Sequence, residues 1–442
     1  METKLLRIAE LAKSHPRMQF TSLAHLLDED ALKQCHYELP NKKATGVHGI
    51  TKDMYGEQLD ENIQDLVQRL KRKGYRPVPV RRAYIPKTGS TRKRPLGIPE
   101  YEDKIVQRAT AKILNSIYEQ DFLDVSFGFR PGRNCHDALK ILNVYLEKRQ
   151  TNYIVDADIK GFFENVNHTW LMEFLRHRIK DPSLLRVIAR FLKGGYMEAG
   201  KYYKTDSGTP QGGLVSPILA NIYLHYVLDL WFEKIVKKSC KGQAYLVRYA
   251  DDFVCCFEYE EDATGFYQAL IQRLKKFNLD IAEEKTKIMP FGRKAKTKCK
   301  HQGMKKPQTF DFLGFTHYCS TGRRGQFRVK RKTSKKKMDA KIKQCGEWLK
   351  RNRHAGMVAI VSHLSRSLKG YYNYYCITDN RACVDTFQDI VKRLLYKWMN
   401  RRSQCKSFNW EKFVLFMEKF PLPRPKVKVN IYDLRKEISY IL

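Results

Sequence analysis

The chain has 442 residues, of which 43% are hydrophobic. That length and apolar content suffice for two or three compact domains and exclude a largely disordered chain. Lys and Arg number 83 against 47 Asp and Glu, which leaves a formal net charge of +36. Such an excess predicts a polyanionic partner. Nucleic acid is the first candidate, because basic side chains that neutralise phosphates release condensed counterions.

A membrane surface is the competing polyanionic partner. No apolar run in the sequence reaches the roughly 20 residues of a spanning helix, and the N-terminal text METKLLRIAE lacks the apolar stretch of a signal peptide. We therefore expect no membrane partner and a cytoplasmic location in a bacterial cell. The 11 cysteines include no CxxC pair and are expected to be free thiols.

Residues 1–80 carry apolar positions at helical spacing, which predicts an N-terminal helical extension. Residues 78–99 are β-branched and basic and are interrupted by Gly, Pro and Ser, which predicts a hairpin with a basic tip. Four apolar residues then recur on one face of a predicted helix, at Ile105, Ala109, Ile113 and Ile117.

Acidic residues mark the next two predicted strands. Residues 152–159 alternate as a strand, so Asp156 and Asp158 share its polar face, because successive strand side chains point to opposite sides. Residues 217–238 predict a long, mostly apolar helix. The runs AYLVRY and DFVCCF then flank a tight turn at Asp251, which predicts a hairpin with acid at its bend.

The C-terminal part of the sequence predicts an α-helical bundle, with helices near 334–352, 356–376, 381–402 and 408–419. Together, the predicted strands and helices indicate an α+β fold. We divide the chain into a helical extension, a mixed central region, a helical region and a short tail, at residues 1–80, 81–330, 331–425 and 426–442.

The carboxylates on the strand and at the bend suggest a metal-dependent site. Phosphoryl transfer to a hydroxyl uses two divalent ions about 3.5–4 Å apart in many enzymes, and hard oxygen ligands suit Mg²⁺. Asp158 and Asp251 can supply such ligands. The text YADD at 249–252 is by itself a weak signal, because pairs of Asp are common in solvated turns.

Ten motifs occur in a specific order along the chain. They are GVHGIT at 46–51, VRRAYIPK at 80–87, RPLGIPEYEDKIVQRA at 94–109, FGFRPGRNCHDAL at 127–139, DADIKGFFENVNH at 156–168, GTPQGGLVSPILANIYLH at 208–225, VRYADDF at 247–253, EEKTKI at 283–288, FDFLGF at 310–315 and LKGYYNYY at 368–375. In these motifs the chain resembles the group II intron reverse transcriptases, also called intron-encoded maturases. The resemblance implies a right-hand polymerase, with fingers and palm built from antiparallel sheet plus helices and an α-helical thumb or X domain.

The resemblance also implies the catalytic and metal-binding residues. It assigns Asp158, Asp251 and Asp252 as catalytic, with Ile159 added as a metal ligand, and it leaves Asp156 outside the metal shell. Strand geometry alone does not separate Asp156 from Asp158. The implied cofactor is a pair of Mg²⁺ ions, with Mn²⁺ as an alternative.

Five residues match positions that contact the incoming nucleotide in the family: Lys87, Arg94, Phe163, Gln211 and Lys285. Phe163 corresponds to the bulky position under the sugar. The alternative is a phenylalanine that only packs in the core. Lys87 and Arg94 lie in the basic tip, where Arg92 or Lys93 could replace Arg94 and solvated charges are the alternative. Lys285 corresponds to a lysine near the leaving phosphate, although a surface lysine is almost equally plausible on spacing alone.

Two further residues match positions near primer and template. Arg130 is assigned there by the resemblance, but an arginine that ties the fingers to the palm explains it equally well. Gly314 and its neighbours resemble the primer grip. The tyrosines of LKGYYNYY suit RNA binding as a group, although burial in the bundle is the more economical reading for each one.

The implied function is that of an RNA-directed DNA polymerase that uses an RNA template, a DNA primer and dNTPs. Binding of structured intron RNA, maturase activity in splicing and a role in intron mobility are implied as well. The alternative is a domesticated reverse transcriptase in defence, CRISPR spacer acquisition or DNA repair. A homodimer is left open. No Cys-pair and His-rich nuclease module follows LPRPKV, so second-strand cleavage is not expected.

Overall fold

The computed structural model describes residues 2–86, 93–301, 303–402 and 408–435. Its helices are α1 Glu2–Ser14, α2 Glu29–Glu38, α3 Lys52–Gly56, α4 Leu59–Lys71, α5 Tyr101–Tyr118, α6 Cys135–Lys148, α7 Phe162–Asn165, α8 His168–Arg176, α9 Pro182–Lys193, α10 Ser216–Leu224, α11 Lys237–Ser239, α12 Glu260–Lys276, α13 Ala295–His301, α14 Lys335–Asn352, α15 Met357–Tyr375, α16 Arg381–Met399 and α17 Trp410–Lys419. Its strands are β1 Val80–Pro86, β2 Lys93–Ile98, β3 Tyr153–Asp158, β4 Tyr196–Glu198, β5 Lys201–Tyr203, β6 Ala244–Tyr249, β7 Asp252–Phe257, β8 Lys287–Pro290, β9 Phe310–Phe312, β10 Phe315–Thr321 and β11 Phe327–Thr333.

Side-chain caps fix where several of these helices begin. Asp28 precedes α2 and accepts a hydrogen bond of 2.9 Å from the backbone N–H of Ala31. Asn134 and Asp137 form a reciprocal capping box at the start of α6, and Asp181 accepts two backbone N–H groups in the first turn of α9. Each cap satisfies donors that the helix cannot pair internally, so local sequence sets these boundaries.

Three sheets organise the strands. The central sheet has the order β6-β7-β3-β8, and its neighbouring strands are antiparallel. The second sheet has the order β2-β1-β4-β5, in which the predicted β1–β2 hairpin is extended by a parallel pairing of β1 with β4. The third sheet, β11-β10-β9, leads into the C-terminal helices.

The central sheet separates two hydrophobic clusters. Val155 and Phe253 face a cluster shared with the N-terminal helices, α5, α8 to α10 and α12. Ile154 and Val254 face a second cluster shared with α6 and strands β9 to β11. A third cluster lies within α14 to α17 and includes the buried Tyr371 and Tyr372 of the LKGYYNYY motif. The sheet is therefore packed on both faces.

The expected α+β fold with a helical C-terminal region is confirmed. The predicted helix at 217–238 is present as one helical run from α10 to α11, but it contains π-helical turns at His225–Asp229 and Phe232–Val236. These turns hold one more residue per hydrogen-bonded ring than an α-helix, which apolar spacing does not reveal. The division of the chain at residues 80, 330 and 425 stays a prediction.

Two simpler expectations can be compared with the described part of the chain. The ten cysteines within the described ranges are all free thiols. None of the helices there combines the length and hydrophobicity that a bilayer crossing requires.

Asp103 of α5 generates a prediction about the pH dependence of stability. Its carboxylate is buried and accepts hydrogen bonds from the Tyr75 hydroxyl and the Val78 N–H. Burial is the largest cause that raises its pKa from the ordinary 3.8 to about 7. The folded state therefore binds this proton more tightly than the unfolded chain, and the contribution of Asp103 to stability falls as pH rises from about 4 to about 7, by at most about 1.4 kcal/mol per pH unit.

The expected result is that Asp103→Asn removes this contribution and flattens the pH dependence of the free energy of unfolding between pH 4 and pH 7. Urea denaturation at a series of pH values measures it. The matched control is Asp30→Asn, which changes an exposed carboxylate and should run parallel to the wild type. Parallel curves for Asp103→Asn and the wild type would contradict the prediction.

Candidate active site

The register of the central sheet brings two of the predicted carboxylates together. Asp158 on β3 is the direct partner of Asp252 on β7. Directly opposed residues of an antiparallel pair have Cα atoms about 4.5–5.5 Å apart and side chains on the same face. Asp251 immediately precedes β7. The same register places Asp156 opposite Val254. Strand alternation leaves Asp156 and Asp158 equivalent, but the register shows that only Asp158 lies directly opposite another carboxylate.

The turn that carries Asp251 has an unusual backbone. Tyr249 pairs with Asp252, so Ala250 and Asp251 form a two-residue hairpin loop. Ala250 has a φ of +59°, a left-handed conformation that costs an L-residue about 1–2 kcal/mol. Glycine is the usual residue at such a position. The surrounding structure must therefore hold the turn in place.

A buried ion pair supplies that support. The guanidinium of Arg248 donates to both carboxylate oxygens of Asp229, at 2.7 and 2.5 Å, and neither side chain is exposed. It also donates to the carbonyl oxygen of Ala250 at 2.9 Å and to Asn221 Oδ1 at 3.1 Å. Asn221 in turn donates to the carbonyl oxygen of Gly128 at 2.7 Å. The π-helical turn that ends at Asp229 thus brings its carboxylate to the base of the acidic hairpin.

Gly128 permits the closest approach to this turn. A Cβ atom at position 128 would lie 2.3 Å from the backbone nitrogen of Ala250. Such a contact is far inside van der Waals distance, so the FGFR segment can pack under the hairpin only with glycine at this position.

Burial and neighbouring charges raise the pKa values of Asp251 and Asp252. Burial is the largest cause that raises the pKa of Asp252 to about 7, and the charges of Asp156, Asp251 and Asp158 add to it. The nearby backbone N–H of Leu313 lowers the pKa of Asp252 in part. Burial also raises the pKa of Asp251. Convergent carboxylates of this kind favour an oxygen-binding cation, because it relieves their repulsion.

Lys285 forms an ion pair with Asp158. Its ammonium lies 2.5 Å from Asp158 Oδ2, and both side chains are about half exposed. In the described part of the chain, no three His, Cys, Asp or Glu side chains are gathered closely enough to hold a metal ion as they stand. The Ile159 side chain is a hydrocarbon without a donor atom, so only the backbone carbonyl oxygen of this residue can serve as a ligand. The donor set is nonetheless chemically suited to a hard divalent cation.

Phe163 and Gln211 line one cleft of about 240 Å³. Phe163 lies on α7 with its ring partly exposed, and its carbonyl oxygen accepts the Thr209 N–H at 2.8 Å. The carbonyl oxygen of Gln211 accepts the Gly97 N–H at 2.6 Å. These backbone bonds attach the PQG loop to both α7 and β2, so two predicted nucleotide-contact residues come together.

Arg82 is a cleft residue that sequence reasoning missed. It lines the same cleft, and its guanidinium stacks 3.6 Å from the ring centre of Tyr196. Its Nε is buried and has no hydrogen-bond partner among the described residues. The signal was present in the VRRAYIPK motif, but alternation along β1 did not indicate which of its two arginines faces the cleft.

Arg94 lies on β2, opposite Ile85. Its charge partly lowers the pKa of Asp251, which places it in electrostatic range of the carboxylates. Lys87 lies outside the described residues, as does its neighbour Arg92 in the basic tip.

Comparison with known protein families agrees with this arrangement. A reverse transcriptase (RNA-dependent DNA polymerase) model matches residues 85–317, which is more than half of the chain. The chain belongs to the reverse transcriptase family. A group II intron, maturase-specific domain model matches residues 335–414. The resemblance to group II intron reverse transcriptases and maturases is therefore confirmed.

Individual relatives support the same assignment. The chain is 44% identical over 231 residues to the group II intron-encoded protein LtrA of Lactococcus lactis subsp. cremoris, covering 51% of this chain and 38% of that protein. It is 33% identical over 226 residues to protein YkfC of Escherichia coli K12, covering 50% and 59%. It is 34% identical over 235 residues to an uncharacterized 91 kDa protein in the cob intron of Schizosaccharomyces pombe, covering 52% and 29%. The matched regions therefore cover between 29% and 59% of the length of these three relatives.

Arg130 of this reverse transcriptase occupies an internal position. Its side chain is 2% exposed and forms an ion pair with Glu119 at 2.7 Å. It also donates to the carbonyl oxygens of Leu123 and Ser126. These partners occupy the guanidinium. The geometry therefore agrees with the alternative interpretation, in which Arg130 ties neighbouring segments of the chain together. A contact of Arg130 with primer or template stays a prediction.

Gly314 lies in a turn that touches the carboxylate site. Phe312 pairs with Phe315, so Leu313 and Gly314 form a two-residue hairpin loop, with φ values of +50° and +79°. Positive φ at both positions is typical of a type I′ turn, which favours glycine at the second. Because the Leu313 backbone partly lowers the pKa of Asp252, the turn that resembles a primer grip adjoins a predicted metal ligand.

The Arg248–Asp229 pair generates a prediction about stability. Arg248→Ala leaves Asp229 charged and buried without a partner, which should lower the free energy of unfolding by about 3–5 kcal/mol. The double variant Arg248→Met/Asp229→Leu removes both charges and should recover most of that loss. Urea denaturation of the three proteins measures the effect. Equal destabilisation by the single and double variants would show that packing, and not the unpaired charge, dominates.

Proposed function

We propose that the protein is an RNA-directed DNA polymerase of the group II intron type, which extends a DNA primer with dNTPs along an RNA template. The single observation that carries the proposal is the opposed pair Asp158 and Asp252 with Asp251 at the adjoining bend. Membership of the reverse transcriptase family supports it, because that family is described as RNA-dependent DNA polymerases.

The proposed catalytic residues are Asp158, Asp251 and Asp252, which would hold two Mg²⁺ ions together with the carbonyl oxygen of Ile159. Mn²⁺ is the alternative ion. When bound, such ions activate the attacking hydroxyl and stabilise charge on the leaving group. The residues themselves hold the reacting groups in line, because the β3–β7 register and the Ala250 turn fix the carboxylates on rigid backbone.

The proposed nucleotide site combines the cleft and the basic fingers. Phe163 would lie under the sugar and exclude a ribose 2′-hydroxyl, while Gln211 would line the nascent base pair. Lys87 and Arg94 would bind the triphosphate through charge-assisted hydrogen bonds. Lys285 is proposed to move from Asp158 towards the leaving phosphate, since its half-exposed ion pair is easily exchanged with solvent.

Binding of structured intron RNA and assistance in splicing complete the proposal. The maturase-specific match at 335–414 and the net charge of +36 support it, because phosphate neutralisation drives RNA binding. A bacterial cytoplasmic location is part of the proposal, and the similarity to LtrA of the bacterium Lactococcus lactis supports it. Use in defence, CRISPR spacer acquisition or DNA repair is not favoured, since relatives such as LtrA are described as intron-encoded. A ribozyme sequence that flanks the gene would support an intron context, and its absence would oppose it.

The catalytic assignment predicts the loss of primer extension in Asp251→Asn. Loss of one metal-binding charge should lower the rate at least roughly 10³-fold, because metal ions contribute several kcal/mol to transition-state stabilisation. Extension of a DNA primer on an RNA template with dNTPs and Mg²⁺ is the measurement. Asp156→Asn is the matched control, since Asp156 lies on the same strand face but opposite Val254, and it should retain most of the activity. Wild-type extension by Asp251→Asn would refute the assignment.

The position of Phe163 predicts a specific change in sugar selectivity. Phe163→Ala should reduce the preference for dNTPs over rNTPs by roughly 10–100-fold, because the steric barrier to the 2′-hydroxyl is removed. Single-nucleotide incorporation with matched dNTP and rNTP provides kcat/KM for each. Phe163→Tyr keeps the ring and should keep the preference. An unchanged ratio in Phe163→Ala would assign the ring to packing alone.

A further inference from the structure

The β10–β11 hairpin presents a basic face to solvent. Strand alternation directs Arg328 and Lys330 of β11 to one side and the fully buried Val329 and Arg331 to the other. Lys330 pairs directly across the strand with Tyr318. The hairpin therefore has one side committed to the protein interior and one side on which cations are concentrated.

Hydrogen bonds and an ion pair from β11 attach the hairpin to α6. Glu147 near the end of α6 accepts the Val329 N–H at 2.8 Å and forms an ion pair with Arg328 at 2.9 Å. The guanidinium of Arg331 donates to Asn143 one turn earlier on the same helix. These bonds hold the backbone that carries the exposed cations, so the cations start from a fixed scaffold.

The connecting turn at the hairpin tip is also internally bonded. The Gly322 N–H donates to the carbonyl oxygen of Gln326 at 2.8 Å, and the Arg324 N–H donates to the Gln326 side chain at 3.1 Å. Gly325 adopts a φ of +77°, which glycine tolerates without strain. The exposed Arg323 and Arg324 thus project from an ordered turn.

A cleft of about 510 Å³ lies beside this tip, and we name it the tip cleft. Three separate parts of the chain line it: the hairpin, the loop between α15 and α16, and the C-terminal segment. The cations on its wall are Arg323, Arg324, Arg328 and Lys330, and Asp379 is the acidic residue there. Asp379 is itself 3.7 Å from the buried Arg331, so its charge is partly neutralised from inside.

An aromatic side chain completes the wall of the tip cleft. The ring of Tyr432 lies 4.6 Å from the guanidinium carbon of Arg328. Aromatic rings interleaved with cations suit nucleic acid, because cations bind the phosphates and rings can stack on bases. The volume lies within the roughly 300–1,000 Å³ of ordinary ligand pockets, which is enough for a nucleotide unit of a longer strand.

The outer end of the tip cleft, at Arg323 and Arg324, is distant from the carboxylates, while Lys330 lies opposite Tyr318 about midway along β10. The base of β10 adjoins Gly314, whose turn touches Asp252. The seven residues of β10 then carry the chain roughly 20 Å towards the tip, at about 3.3 Å per residue. A strand bound at the tip is therefore separate from the reacting end of a primer.

We infer that the tip cleft binds the sugar–phosphate backbone of folded RNA, at a second site that is separate from the copied duplex. The inference deepens the RNA-binding part of the proposed function and rests on it. Folded RNA is the partner favoured over the copied duplex for two reasons. The cleft lies away from the catalytic carboxylates, and one wall belongs to the loop between α15 and α16, inside the maturase-specific match.

The test compares two triple variants that each remove three positive charges. The first is Arg323→Gln/Arg324→Gln/Lys330→Gln, which leaves Arg328 in place because it fastens the hairpin to α6. The control is Lys238→Gln/Lys275→Gln/Lys276→Gln, which changes exposed lysines elsewhere. Fluorescence anisotropy with labelled tRNA, a generic folded RNA, measures affinity at several salt concentrations in the full-length protein. Phosphate contacts carry no sequence information, so this probe is sufficient.

The expected result is that the slope of log K against log salt falls in magnitude by roughly 2–3 for the tip variant and stays near the wild-type value for the control. Extension of a short primer–template should stay at the wild-type rate for both. An unchanged tRNA slope in the tip variant, or an equal change in the control, overturns the inference. A loss confined to primer–template binding overturns it as well, because the cleft would then serve the copied duplex.

Two controls keep the outcome interpretable. If the tip triple variant melts below the wild-type temperature, the single variant Arg324→Glu replaces it, with an expected slope change of roughly 1. Asp251→Asn should bind tRNA as the wild type does. A wild-type protein that binds tRNA but does not extend a primer would refute the polymerase proposal and leave the tip cleft result standing.

Discussion

The acidic hairpin depends on one buried ion pair. Arg248 and Asp229 are fully shielded from water, and such a pair is stabilising only when its remaining donors and acceptors are also satisfied. The guanidinium of Arg248 donates its remaining hydrogen bonds to the Ala250 carbonyl oxygen and to Asn221. The acceptors that offset the cost of burying the charge therefore include a backbone group of the turn itself. The left-handed Ala250 is thereby held in a conformation that its own side chain disfavours. Because catalysis is sensitive to displacements of about 1 Å, this pair sets the accuracy of the whole carboxylate site.

The same site is linked to the C-terminal helices through a single turn. The Leu313 backbone lies close enough to Asp252 to lower its pKa in part, while the Leu313 carbonyl oxygen accepts the Tyr374 hydroxyl at 2.8 Å. The Gly314 carbonyl oxygen accepts the Ser334 N–H at 2.9 Å, just before α14. A shift of the helical region therefore cannot leave the environment of Asp252 unchanged. This coupling gives the LKGYYNYY motif a structural reason for its aromatic content, because its tyrosines pack in the bundle and reach the turn.

Local sequence patterns predicted the helices and strands well. They could not predict the contacts between residues far apart in the sequence, which assemble the site. Helical periodicity located the C-terminal helices to within a few residues, because amphipathic spacing is a property of neighbouring residues. Strand alternation placed Asp156 and Asp158 on one face, but only the register with β7 shows that Asp158 opposes Asp252. The Arg248–Asp229 bond joins a strand to a π-helical turn that apolar spacing does not signal. Arg130 illustrates the same limit, since a motif match does not reveal that Glu119 occupies its guanidinium.

In the proposed mechanism, Lys285 and a divalent cation would compete for the carboxylate oxygens of Asp158. The Lys285 ammonium neutralises part of the carboxylate charge, and it contacts Asp158, the member of the set that is not held by the Ala250 turn. Asp252 is instead fixed by the β7 register and by Leu313. A surface ion pair of this kind contributes little net stability, so its replacement by a divalent cation has a small cost, whereas a buried partner in that position would block the site. The exposure of Lys285 is therefore the property that would allow it to neutralise Asp158 at rest and to give way to a divalent cation in the proposed mechanism.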